Sequence, residues 1–151
     1  MTKTSIARNP RARHDYHLLE TWEAGLVLTG TEVKSLREGK ASLGEAYAHV
    51  RHGEVWLEGL TISPYAHGSY NNPPATRSRK LLLHKREIRK LIGGTTQKGL
   101  TLIPLELYFK DGVAKVAIAL AKAKQLHDKR EALKRRATER ELAREVRDRR
   151  R

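Results

Sequence analysis

Residues 100–120 run Leu100-Thr101-Leu102-Ile103-Pro104-Leu105-Glu106-Leu107-Tyr108-Phe109-Lys110-Asp111-Gly112-Val113-Ala114-Lys115-Val116-Ala117-Ile118-Ala119-Leu120. Two apolar-rich runs, 100–109 and 113–120, are separated by Lys110-Asp111-Gly112. Asp-Gly between such runs is a strong signal for a two-residue hairpin turn. The stretch therefore predicts a β-hairpin, and the chain upstream repeats the pattern. Residues 47–60 predict a second hairpin about Arg51-His52-Gly53-Glu54. Residues 16–28 contain a strand, interrupted near Glu23-Ala24-Gly25, where Gly25 permits a bulge or bend.

Helical signals are fewer. Residues 32–38 form one short helix in this reading, with Thr31 as N-cap and Gly39 as stop. Residues 77–92 give the clearest helix. Leu81, Ile88, Leu91 and Ile92 share one face, Arg79, Lys85, Arg86, Arg89 and Lys90 lie elsewhere on the cylinder, and Gly93-Gly94 ends it. Asn71-Asn72-Pro73-Pro74 punctuates a loop at 68–75. Five or six short strands with one long helix suit a small antiparallel barrel. The oligonucleotide-binding barrel is one such fold, and the pattern alone does not choose it over other small barrels.

The chain has 151 residues, with 31 Lys+Arg against 17 Asp+Glu and a net charge of +14. That length suits one domain with an appendage. Cysteine is absent, which excludes disulfides, thiolate chemistry and Cys-based zinc sites. No apolar stretch is long enough for a transmembrane helix. The start, Met1-Thr2-Lys3-Thr4-Ser5, has no apolar core of a secretory signal, so a cytoplasmic location is expected. Residues 1–15 form a basic arm, with Arg8, Arg11 and Arg13. Residues 16–121 form the body. Residues 122–151 hold 13 basic and 6 acidic residues, half of the excess charge, with no aromatic, Gly or Pro. Their apolar residues are few and half are alanines, so the tail is expected to be disordered or partly helical alone and to order on a polyanion.

Catalytic chemistry is hard to find. There is no Gly-x-Ser-x-Gly. Glu38-Gly39-Lys40-Ala41-Ser42 falls short of a phosphate loop, because Lys34 stands where the first Gly belongs and Ala41 replaces the magnesium-binding Ser/Thr. His14/His17 and His49/His52 are three apart, a spacing that puts strand side chains on opposite faces and cannot hold one metal. No enzyme activity and no cofactor are expected, with a metal-dependent nuclease and a basic, ribosome-associated structural protein as the competing readings. Three basic elements, the arm, the 77–90 segment and the tail, instead point to nucleic acid, since Lys and Arg gain affinity by neutralising phosphates. Aromatics make up only 5%, which argues for folded RNA read by shape and phosphate position over base stacking along a single strand.

Several strings together resemble the SmpB family of SsrA-binding proteins, from about Asn9 to about Arg136. They are Arg11-Ala12-Arg13-His14-Asp15-Tyr16, the run from Glu23-Ala24-Gly25 to Lys34-Ser35-Leu36-Arg37, Arg77-x-Arg79-Lys80-Leu81-Leu82-Leu83-His84, Lys98-Gly99-Leu100-Thr101 and His127-Asp128-Lys129-Arg130-Glu131. The resemblance implies a mainly β, oligonucleotide-binding-type barrel with flanking helices. It implies binding to the tRNA-like domain of transfer-messenger RNA. It further implies delivery of that RNA, with elongation factor Tu, to stalled ribosomes for trans-translation. On that likeness the tail enters the empty mRNA channel by the small-subunit decoding centre and orders there as a helix.

Asn9, Glu23, Leu82 and Lys115 stand at the family's RNA-contact positions, and Arg77, Arg79, Lys80 and His84 are further candidates. His127, Asp128, Lys129 and Arg130 are the expected ribosome-engaging residues of the tail, Asp128 as a helix cap. Lys115 offers a charge to phosphate and Asn9 can donate and accept. Glu23 would repel phosphate, so it should accept from a base or ribose donor or orient a neighbouring cation. Two departures from the family pattern stand out. Ala123-Lys124 replaces the common Gly-Lys, and the distal tail has no aromatic.

Overall fold

The computed structural model describes residues 2–67, 72–124, 130, 134, 136–142 and 144. In chain order the elements are β1 (Lys3–Arg8), α1 (Ala12–Asp15), β2 (Tyr16–Leu26), α2 (Gly30–Arg37), β3 (Ala41–Ser42), β4 (Tyr47–Arg51), β5 (Glu54–Glu58), β6 (Thr61–Ile62), β7 (Arg79–Leu82), α3 (Lys85–Ile92), a π-helical turn (Gly93–Gln97), β8 (Thr101–Lys110) and β9 (Val113–Ala123). Both expected hairpins are present. At each tip the two central residues take positive φ, His52 at 51° with Gly53 at 75°, and Asp111 at 51° with Gly112 at 81°. That is the turn geometry whose twist matches the flanking strands.

All pairings are antiparallel. The order β4-β5-β7-β2-β9-β8 returns to β4 through one bridge, Ala48 opposite Leu102. The sheet is thus a small, partly open barrel of the oligonucleotide-binding type. Strand alternation fills its inside: Val116 and Ile118 of β9, Val55 and Leu57 of β5, and Leu102 and Leu107 of β8 are buried. Leu36 from α2 and Leu91 from α3 complete this core. Burying each such side chain is worth roughly 1.5–3 kcal/mol. The opposite face of β9, with Lys115 and Ala117, looks outward.

The structure corrects several expectations. Residues 77–92 are not one helix: 79–82 form β7, which pairs with β5 and β2, and the helix begins at Lys85. The cause is Arg79. It alternates inward with Leu81 on β7 and is fully buried. Its guanidinium donates to Glu32 and to the carbonyls of Leu60, Arg77 and Ala75 at 2.6–3.1 Å. A strand puts Arg79 and Leu81 on one face, which a helix cannot do at that spacing. Gly93-Gly94 does not stop α3, which runs on into the π-helical turn.

The cap of α2 is Thr29, not Thr31. Thr29 Oγ1 accepts from Glu32 N while Glu32 Oε1 accepts from Thr29 N, a reciprocal capping box. In β2 the irregularity lies between Leu18 and Glu20 rather than at Gly25. Residues 3–8 of the basic arm form β1 along β8. At the other end β9 continues to Ala123, and Lys124 N donates to Asp15 O, so the body reaches beyond residue 121. In the tail, His127, Asp128 and Lys129 lie outside the described residues, and Arg130 is helical and exposed.

Glu32 joins these pieces. It is 3% exposed and receives Arg77 Nη2 at 2.5 Å and Arg79 Nη2 at 2.7 Å. Burial raises its pKa, but the hydrogen bonds from Arg77, from Thr29 N and from Arg79 outweigh that and hold the carboxyl below its ordinary value. Replacing Glu32 by Ala leaves Arg79 buried without its counter-charge, so unfolding free energy from urea titration should fall by about 3–5 kcal/mol. Because the folded pKa is depressed, the stability Glu32 supplies is present at neutral pH and is lost as pH falls through the folded value. The Glu32→Ala variant should therefore show a shallower loss of stability in acid than the parent. An unchanged acid profile would contradict this role.

Candidate nucleic-acid interface

The outer face of the barrel carries a row of paired residues across five strands: Leu82 of β7, Gly25 of β2, Lys115 of β9, Tyr108 of β8 and Ser5 of β1. Cross-strand neighbours on one face lie about 4.5–5.5 Å apart. Glu23, two residues from Gly25, shares that face. Three of the four RNA-contact candidates, Glu23, Leu82 and Lys115, are therefore brought together. Gly25 permits the close approach: a Cβ there would stand 3.3 Å from Leu82 Cβ. Leu82 itself is 53% exposed, an apolar side chain held at the surface because Leu81 takes the inward position of β7.

Glu23 is held by several cations and one phenol. Tyr108 Oη donates to Glu23 Oε2 at 2.5 Å, and Lys110 Nζ lies 3.4 Å from Oε1. The Tyr108 hydrogen bond is the main reason that the carboxyl sits below its ordinary pKa. Partial burial opposes it, and the charges of Lys110 and Lys115 reinforce it. Burial and the Glu23 carboxylate push the Tyr108 phenol far up. Lys3 Nζ sits 4.4 Å from the centre of the Tyr108 ring, a favourable cation–π placement.

Asn9, the fourth candidate, follows β1. Its Nδ2 donates to Pro104 O at 3.0 Å and its N–H to Leu105 O at 2.9 Å. The amide's Oδ1 and second N–H take no part in these bonds. An open concavity over β1, β8 and β9 is lined by Asn9 together with Lys3, Arg8, Arg13, Glu106 and Ala117. Glu106 accepts from Lys3 at 2.7 Å and Arg8 at 3.2 Å, which leaves the concavity cationic. Ala117 pairs with Glu23, so this concavity adjoins the Glu23–Lys115 group.

The further candidates separate. Lys80 points outward beside Leu82, with Glu54 at 3.5 Å, and joins the surface. His84 is exposed at the start of α3, where its N–H donates to Glu87 Oε1 at 3.0 Å. Arg77 is partly exposed but bound to Glu32 and Val27 O. Arg79 is fully buried, with its guanidinium committed to Glu32 and to backbone carbonyls. Sequence reasoning passed over Tyr108, Lys110 and Lys3. Period-two alternation puts Tyr108 with Lys110 on β8 and Lys3 with Ser5 on β1, but only the strand register brings these pairs side by side.

A partly open barrel of this type, with a cationic outer face and exposed apolar and hydrogen-bonding groups in one row, is the architecture of an oligonucleotide-binding protein. The family described as SmpB protein matches residues 6–148, and the chain belongs to that family. The SsrA-binding protein of Syntrophobacter fumaroxidans is 60% identical over 146 residues, covering 97% of this chain and 90% of the relative. That of Acidothermus cellulolyticus is 59% identical over 139 residues, covering 92% and 87%. A solved structure described as "tmRNA-SmpB: a journey to the center of the bacterial ribosome" is similar with a TM-score of 0.66 and 53% identity, over 83% of this chain and 92% of that one. Among the described residues no helix is long and apolar enough to cross a membrane.

Arg79 and Lys80 are adjacent and should behave oppositely. Arg79→Ala should lower unfolding free energy by about 3–5 kcal/mol, as loss of one member of a buried ion pair does. Lys80→Ala should stay within about 0.5 kcal/mol of the parent in the same urea titration. Lys80→Ala should also reduce the salt slope of RNA binding by about 1. Equal stability losses in the two variants would refute the assignment.

Proposed function

We propose that the protein binds the tRNA-like domain of transfer-messenger RNA and delivers it to stalled ribosomes for trans-translation. The carrying observation is the family match, which runs from residue 6 to residue 148 and so covers body and basic tail together. The relatives are named for binding SsrA, and the similar solved structure is described by tmRNA and the bacterial ribosome. The outer face with Glu23, Leu82 and Lys115, and with Asn9 and Lys80 beside them, is the one assigned to the RNA. Lys115 and Lys80 meet phosphates, Asn9 and Glu23 take hydrogen bonds, and Leu82 covers apolar edges. Elongation factor Tu arrives on the RNA. The protein carries out no chemistry of its own and works in the cytoplasm, where ribosomes are.

The tail takes the second part. Its 13 basic residues repel one another in free solution, and its few, mostly small apolar side chains give a helix little packing to stabilise it. A channel walled by ribosomal RNA cancels the repulsion and offsets the ordering cost. His127 stacks on a nucleobase in this reading, Lys129 and Arg130 meet phosphates, and Asp128 caps the helix.

Three measurements test the proposal. Gel-shift titration against the tRNA-like RNA should give a slope of log K against log salt between about −3.5 and −4.5, for about five neutralised phosphates; a slope near zero would remove the basic face from the interface. Truncation after Lys124 should leave that affinity within about tenfold, roughly 1.4 kcal/mol. Ala137→Pro keeps the charge but disrupts a helix interior by about 3 kcal/mol. That variant should bind the RNA normally and fail to support peptide tagging on stalled ribosomes. Normal tagging by it would reduce the tail to an electrostatic tether.

A further inference from the structure

We infer that Tyr108 is a positioning residue for RNA recognition: its phenol holds the Glu23 carboxylate in one orientation, so that Glu23 presents an acceptor to an RNA N–H or 2′-hydroxyl donor. This rests on the assignment of Glu23 to the RNA face made above.

A carboxylate on a phosphate-binding surface is a liability unless its orientation and charge are controlled. A mobile Glu23 would sweep among Lys110 and Lys115 and compete with phosphates for both. The structure prevents this. Tyr108 Oη and Glu23 Oε2 are 2.5 Å apart, within the short range of an O–H donor on a carboxylate. Tyr108 cannot drift, because it is 4% exposed, lies between β1 and β9 in the sheet, and has Lys3 over its ring. One oxygen of Glu23 is thereby committed to the phenol. The Glu23 side chain remains 38% exposed, so its other oxygen, loosely shared with Lys110 at 3.4 Å, is the acceptor offered to RNA. An acceptor of this kind discriminates. It gains from a base N–H or a 2′-hydroxyl, and it repels a bare phosphate, so it sets register on the RNA while the lysines supply affinity. Lys3, which lies over the Tyr108 ring, and Ser5, which pairs with it, come from β1, which gives the first strand a part in recognition.

The test is a double-mutant cycle on the full chain, with Tyr108→Phe, Glu23→Ala and the pair, titrated against a synthetic tRNA-like domain of transfer-messenger RNA and against an unrelated RNA hairpin of equal length. Phe keeps the ring and removes only the donor. Tyr108→Phe should weaken binding to the tRNA-like RNA by about tenfold, leave hairpin binding unchanged, and have no further effect in the Glu23→Ala background. Carbon-13 NMR of the Glu23 carboxyl should show its pKa rising in Tyr108→Phe, which reports loss of the phenol's hold on Glu23 independently of the RNA. Glu23→Gln tests the same idea without touching Tyr108: it keeps the shape, adds a donor to the end of the side chain, and should also lose selectivity. Wild-type binding of both RNAs with equal affinity would overturn the transfer-messenger RNA reading itself. Selective wild-type binding combined with an unchanged Tyr108→Phe, or with a Tyr108→Phe loss that persists in full without Glu23, would overturn the positioning role alone.

Discussion

The buried contact of Arg79 with Glu32 decides how the basic segment before α3 is used. Arg79 can reach Glu32 and the carbonyls of Leu60 and Ala75 only from an inward position on a strand. That choice makes 79–82 a strand, and strand alternation then fixes the neighbours. Leu81 enters the core, while Lys80 and Leu82 face outward. Because β7 pairs with β2 at Leu81 and Leu82, Leu82 arrives beside Gly25, and through it beside Lys115. Glu32 also completes the cap of α2. One carboxylate thus joins a helix start, two arginines and the strand that bears part of the proposed binding face.

A buried ion pair of this sort is poor evidence of net stability, since desolvation of both ions cancels much of their attraction. Its value here lies in register. A one-residue slip of β7 would turn Lys80 and Leu82 inward and place Arg79 on the surface. Glu32 would then lose its buried Arg79 partner. The penalty falls on the alternatives more than it favours the native arrangement.

The hairpins and the barrel class were legible because Asp111-Gly112 and His52-Gly53 encode turns locally. The 77–92 segment was not. Leu81, Ile88, Leu91 and Ile92 satisfy helical spacing, and nothing in the local string shows that Arg79 has a partner 47 residues upstream. The same holds for β1: Lys3 to Arg8 is polar and basic, and only its pairing with β8 makes it a strand. For the candidate site, Asn9, Glu23, Leu82 and Lys115 were marked by resemblance, while their convergence is a product of register. Tyr108 carried no local mark, since a buried tyrosine looks like core until its hydroxyl partner is known.

The junction between body and tail shows what a small departure from the family pattern does. Ala123, where Gly is common, is still within β9 and pairs with Tyr16. A glycine there would weaken the last strand and supply a swivel; alanine extends the strand instead. The next residue is tied twice, Lys124 N to Asp15 O at 2.9 Å and Lys124 Nζ to Arg13 O at 3.0 Å. Both partners belong to α1, the short helix that follows Asn9 and Pro10, and Arg13 also lines the cationic concavity. The point from which the tail departs is therefore fixed against the element that borders the proposed RNA face. Lys124 is thus held against α1, and no glycine follows it in the sequence.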